Sequence, residues 1–318
     1  MAKYRNQLPQ LGDRIFLTDG GLETTLIFHE GIALPHFAAF DLLKDANGRQ
    51  TLHDYYSRYA TIARSKRVGF IFESATWRAS PDWAAKLGMS EAQLADLNRA
   101  SIDMLLPLRH AFETKASPMV ISGCIGPRGD GYKADAMMTA AEAEAYHGFQ
   151  ARIFAGSEAD MVTAITMTYA EEAIGVARAA AGMPVAISFT LETDGRLPSG
   201  QPLGDAIEAV DAATGNAPAY YMINCAHPSH FAGALAGNER WLTRLKGLRA
   251  NASKRSHAEL DAAPDLDAGN PVELGQDYAA LRARLGRRLT VLGGCCGTDH
   301  RHAEAIAMSC VPELAQAS

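Results

Sequence analysis

No run in this 318-residue chain approaches the ~18 consecutive apolar residues that a membrane-spanning helix needs. The amino terminus, MAKYRNQLPQ, has neither an apolar core segment nor a small-residue cleavage site, so nothing in it reads as an export signal. The expectation is a soluble, cytoplasmic protein. Positive charge is not in excess: 30 Lys and Arg face 36 Asp and Glu, for a formal net charge of −6. No basic patch stands out, and a nucleic-acid partner is not expected. Cysteine is sparse, limited to Cys124, Cys225, Cys295, Cys296 and Cys310. An odd number with two adjacent is not a secreted disulfide framework, which leaves thiols or metal ligands. No repeat appears at solenoid periods. A dinucleotide fingerprint is also missing. Its loosest approximation, Gly129-Asp-Gly131-Tyr-Lys-Ala134, follows Gly126-Pro127 rather than a strand. With 47% hydrophobic and 21% charged residues, the composition is that of a folded globular chain and excludes global disorder.

Short apolar runs alternate with longer helical patterns. The runs are Ile15–Asp19, Val68–Glu73, Met119–Gly123, Met161–Thr166, Val185–Thr190, Ala219–Asn224 and Leu289–Gly293, with a weaker one near Leu248–Ala250. Ser90-x-x-Gln93 and Thr139-x-x-Glu142 read as capping boxes that open helices. Ala279–Leu285 and His302–Met308 read as later helices. Near-continuous apolar strands separated by helices are the pattern of a parallel sheet. Eight such units predict a closed (β/α)8 TIM barrel, with residues 1–318 as one barrel domain. Loop insertions are expected at Gly31–Gln50 and Asn251–Pro271.

Chemistry concentrates in Gly293-Gly294-Cys295-Cys296-Gly297-Thr298, after the last strand. Two glycines permit a sharp turn that faces adjacent thiols toward one point. Cys225, in Ile223-Asn224-Cys225, also ends a strand. In a barrel these strand ends share the C-terminal face and lie near each other, so three thiols converge there. Two readings stand on spacing alone. Three sulfurs suit zinc with an open fourth position; equally, cysteine is a common buried core residue. Cys124 and Cys310 read as structural. His227, His230, His300 and His302 read as solvent-facing or capping groups rather than ligands.

The chain resembles the zinc-dependent homocysteine S-methyltransferase family. The matching pieces, in order, are Asp19-Gly20-Gly21-Leu-Glu-Thr, Ser122-Gly-Cys-Ile-Gly126-Pro127, Ser188-Phe189, Ile223-Asn224-Cys225 and Gly293-Gly-Cys-Cys-Gly-Thr298. The resemblance implies zinc on Cys225, Cys295 and Cys296. It also implies methyl transfer from an onium donor to the thiol of homocysteine, giving methionine, or to a related small thiol. The metal activates that thiol, so no further catalytic side chain is required. Candidate substrate-binding residues are Asp19, for an ammonium or donor cation; Glu23, whose other reading is a helix cap; and Asn224, which orients the ligand turn. Trp77 and Arg78 face the mouth, Trp77 as an aromatic wall for a methylated cation or as packing.

The chain departs from the family at three places. Ile165 stands where the family carries a glutamate that holds the amino group of homocysteine. Thr76-Trp77-Arg78-Ala79-Ser80 replaces a Tyr-Gln pattern, and Asn251-Ala-Ser253 matches a Pro-Asn-Ser-Gly turn only partly. Two other functions fit an open zinc site: a hydrolase using bound water, with His227 or His230 as base, and a non-catalytic zinc- or thiol-binding barrel. The natural acceptor, the donor, the pathway and the oligomeric state are not encoded in any motif.

Overall fold

Eight parallel strands close on themselves in chain order in the computed structural model, which describes residues 1–286 and 288–311. They are β1 (Phe16–Leu17), β2 (Gly69–Glu73), β3 (Met119–Ile125), β4 (Met161–Met167), β5 (Val185–Thr190), β6 (Tyr220–Asn224), β7 (Leu245–Ala250) and β8 (Val291–Gly294). Closure is made by β1 on β8, with Phe16 opposite Val291. Every strand residue except Lys246 is buried. That is the physical reason these runs read as continuously apolar: side chains on one face meet the helices and those on the other fill the barrel. The expected (β/α)8 barrel is the observed fold.

The strand that read as weak, near Leu248–Ala250, is six residues long, and the first strand is only two. Both expected capping boxes form, at Ser90 with Gln93 and at Thr139 with Glu142. The Gly31–Gln50 stretch is less of an insertion than its composition suggests. Asp45 accepts a hydrogen bond from Gly48 N at 2.8 Å and starts a long helix, Ala46–Ser65, inside it. The Asn251–Pro271 stretch is a true excursion, holding only the short helix His257–Asp261, and it ends where Asn270 caps Pro271–Arg284.

Two apolar clusters fill the molecule. The larger lies between the strands and the surrounding helices. The smaller, with Phe16, Ile71, Val120, Met161 and Tyr220, includes Leu8 from the amino-terminal segment. Residues from seven strands meet inside the barrel toward its N-terminal end, and Leu8 packs against them. The open face is therefore the C-terminal one, where both cysteine-bearing turns emerge.

Candidate metal centre and substrate cavity

Cys225 follows β6 with φ of 52°, in the left-handed region that a residue with a Cβ enters at a cost. Its backbone N–H donates to Arg249 O at 3.1 Å, which ties the turn to β7. Thr166, near the end of β4, is left-handed too, at φ 68°, beside a register shift between Ala164 and Met167. Asn224 holds that strained residue from both sides. Its Oδ1 accepts from Thr166 N at 3.0 Å and from Ser188 Oγ at 2.6 Å, while its Nδ2 donates to Thr166 Oγ1 at 2.9 Å. The same Nδ2 lies 3.9 Å from Cys295 Sγ. Fully buried, Asn224 joins the ends of β4, β5 and β6 to the sulfur cluster rather than lining the cavity.

The second cysteine turn depends on close backbone approach. A Cβ on Gly21 would lie 2.7 Å from Cys295 O, and one on Gly294 would collide with the Thr298 hydroxyl. Glycine at both positions lets the loop after β1 seat against the turn after β8. Thr298 closes that turn, its hydroxyl donating to Cys295 O at 2.7 Å.

These turns bring the sulfurs of Cys225, Cys295 and Cys296 within 4.8 Å of one another. The sulfurs of Cys225 and Cys295 lie within bonding reach of each other, and Cys296 is a free thiol. Two strand ends that converge on one point bring these sulfurs together, the arrangement expected of metal-ligating cysteines. The cluster fits zinc by its chemistry, since three soft donors face one point and leave one side toward the cavity. Binding requires the reduced pair, because a disulfide sulfur is not a thiolate donor. Burial pushes the Cys296 thiol up to about 11, so ionisation there calls for a nearby cation.

Two residues over the cluster escaped the sequence reading. The Tyr132 hydroxyl lies 3.1 Å from Cys296 Sγ and 3.9 Å from Cys225 Sγ. Its ring stacks on His257 with centroids 4.2 Å apart. His257 donates from Nε2 to Cys225 O at 2.5 Å and presents Nδ1 to Glu192 at 3.2 Å. Tyr132 belongs to the glycine-rich stretch that failed as a dinucleotide fingerprint; the glycines serve a loop over the metal centre instead.

A cavity of about 420 Å³ opens beside the sulfurs. Asp19, Glu23, Trp77 and Arg78 all line it, as do Cys124 and Ile165. Asp19 is occupied: its Oδ1 accepts from Arg249 Nη2 at 2.6 Å and its Oδ2 from the Tyr55 hydroxyl at 3.1 Å. Burial pushes its carboxyl above the usual range, and the Arg249 charge opposes that rise. Burial also carries Glu23 and Glu73 up to about 7. Glu73 Oε1 accepts from the Thr163 hydroxyl at 2.9 Å, while its buried Oε2 has no partner. Cys310 lies on the last helix, outside the cavity. His227 and His302 cap helices, and His230 bonds Lys254 O at 2.9 Å. None of these histidines lines the cavity.

The family model for homocysteine S-methyltransferase matches residues 16–310. The chain belongs to the homocysteine S-methyltransferase family. Among solved structures it is similar to the Escherichia coli homocysteine methyltransferase MmuM. In its oxidised form that protein superposes with a TM-score of 0.72 at 20% identity, covering 94% of this chain and 97% of that one. The metallated form gives 0.69 at 19% identity over 95% and 98%, and the apo form 0.64 at 18% over the same shares. No curated protein sequence matches. The family makes this chain a methyltransferase, and its cofactor is zinc. No helix among the described residues is long and apolar enough to cross a membrane.

Proposed function

We propose that this chain transfers a methyl group from a small onium donor to the thiol of homocysteine or a closely related thiol. The observation that carries the reading is the three-sulfur cluster facing a closed-bottomed cavity at the C-terminal face of the barrel. Zinc bound there supplies a Lewis acid that lowers the pKa of an acceptor thiol and presents its sulfur to the donor. The protein's own residues do the rest by placement. Seven acidic side chains line the cavity against two arginines and one histidine, a balance that draws a cationic donor inward. Asn224 fixes the turn that carries Cys225, and Tyr132 with His257 covers the cluster from the solvent side. In-line alignment of sulfur and methyl carbon supplies the acceleration.

Cys225, Cys295 and Cys296 are the proposed ligands; Glu23, Trp77 and Arg78 form the proposed substrate wall, with Asp19 and Asn224 bracing it. A site that needs reduced thiols suits the cytoplasm, where we place the protein, and we read residues 1–318 as one barrel domain. The hydrolase reading has no support here, because its candidate bases, His227 and His230, lie off the cavity.

The test is Cys296→Ser, assayed for bound zinc and for methionine formed from homocysteine with a panel of methyl sulfonium and methyl ammonium donors. Expected are roughly one zinc and measurable methionine in the reduced wild type, and loss of both in the variant. Full transfer by a zinc-free variant would reject the mechanism.

A further inference from the structure

Three basic side chains line the cavity, and two already have partners. Arg249 pairs with Asp19 at 2.6 Å, and His257 faces Glu192 at 3.2 Å. Arg78 forms no ion pair with any carboxylate among the described residues, although it is only 7% exposed. A buried cation without a direct ion pair is disfavoured: burial pulls this guanidinium down to about 10, against the opposing charges of Asp130 and Glu23, neither of which is within ion-pair distance.

The geometry holds Arg78 still. Its Cζ lies 4.0 Å from the Trp77 ring centroid and 3.8 Å from that of Trp83. Its Nη1 donates to Gly129 O at 2.8 Å. Nε is buried without a partner, and Nη2 donates to no protein acceptor among the described residues. Nε–H and Nη2–H share one edge of the planar fork, the edge that meets a carboxylate in bidentate fashion. Two indoles and a carbonyl have already removed the rotamer freedom that such binding would otherwise cost.

We propose that Arg78 is a specificity-determining residue of this chain, its free guanidinium edge recognising a carboxylate on the molecule that enters the cavity. The charged side chains of the lining are otherwise mostly acidic, seven carboxyls against Arg249 and His257, so the matching molecule carries one carboxylate together with a cationic centre, not a cluster of negative charges. A methylated cation placed on Trp77 would meet the guanidinium already stacked there. Its positive centre therefore sits toward the acidic wall, with its carboxylate toward Arg78. The inference rests on the methyl-transfer reading only for which molecules enter: the carboxylate belongs to the thiol acceptor or to the onium donor.

Isothermal titration calorimetry on the reduced, zinc-loaded protein distinguishes these. The acceptor pair is 4-mercaptobutyrate and its primary amide; the donor pair is glycine betaine and its amide. Wild type should bind the acid of at least one pair roughly 10- to 100-fold more tightly than the amide. That ratio should collapse toward one in Arg78→Gln and survive in part in Arg78→Lys, with zinc content unchanged. The pair that discriminates names the source of the carboxylate. Discrimination in the betaine pair with no thiol binding would uphold the inference while rejecting the thiol-acceptor reading. No acid preference in either pair, no binding of any probe, an unchanged ratio in Arg78→Gln, or an equal loss for acids and amides would overturn it.

Discussion

Asn224 does more with one amide than any other side chain near the sulfurs. It satisfies Thr166 through both amide atoms and accepts from Ser188, so three strand ends and a left-handed threonine are fixed together. Replacing it with alanine leaves Thr166 N without its partner and frees the turn before Cys225. Asn224→Ala should therefore weaken zinc binding by roughly 10- to 100-fold, read by competition with a chromophoric chelator. Unchanged affinity would mean that the cysteine turns hold themselves. Glu73 allows a second check. Its carboxyl is carried from 4.5 up to about 7 by burial. The raised value means the folded state holds the proton more tightly. Its stabilising effect is complete below pH 4.5 and is lost as pH rises through about 7. At pH 8 the buried charge costs on the order of 3 kcal/mol as an upper bound. Glu73→Gln should thus raise Tm by a few degrees at pH 8 and change it little at pH 4.5. An equal Tm difference at both pH values would assign the effect to packing instead.

Arg249 shows how an element's sequence conceals its role. Leu-Lys-Gly-Leu-Arg-Ala makes a poor apolar run, which is why β7 reads as the weakest of the eight, yet its charge is what locks the barrel seam. From β7 the guanidinium donates by Nε to Gly294 O on β8 at 3.1 Å and by Nη2 to Asp19, beyond β1, at 2.6 Å. Neither half of that pair is visible alone, since Asp19 and Arg249 are 230 residues apart. Periodicity exposes strands because burial is local to each run; it does not expose a pair made by closure. The same limit hid Tyr132 and His257, which meet only when the loops after β3 and β7 fold over one mouth. By contrast, the glycine–cysteine turn was legible, because its close approach and its ligands sit in six consecutive residues. Arg249→Met should cost about 3–5 kcal/mol, because Asp19 is left buried and charged. Adding Asp19→Asn should recover much of that loss. Urea denaturation of the single and double variants checks it, and additive losses would deny the coupling.

The barrel, the cavity and the cluster together make metal loading a property of the whole molecule's oxidation state. With Cys225 and Cys295 joined, the three-sulfur cluster presents one free thiol; with that bond reduced by two electrons and two protons, it presents three. The cluster links the end of β6 to the end of β8, elements 70 residues apart in sequence, so an ion held by both turns binds the folded chain and not the unfolded one. Zinc should therefore raise Tm only after reduction. At free zinc about a thousandfold above Kd, the gain is about 4 kcal/mol, and a chelator should reverse it. Differential scanning fluorimetry with and without a phosphine reductant, paired with zinc counting by mass spectrometry, reads both quantities on one sample. Reduced protein should hold roughly one zinc and melt several degrees higher, while oxidised protein should ignore the metal. Equal zinc uptake by the oxidised chain would place the ion on other donors and remove Cys225 and Cys295 from the ligand set.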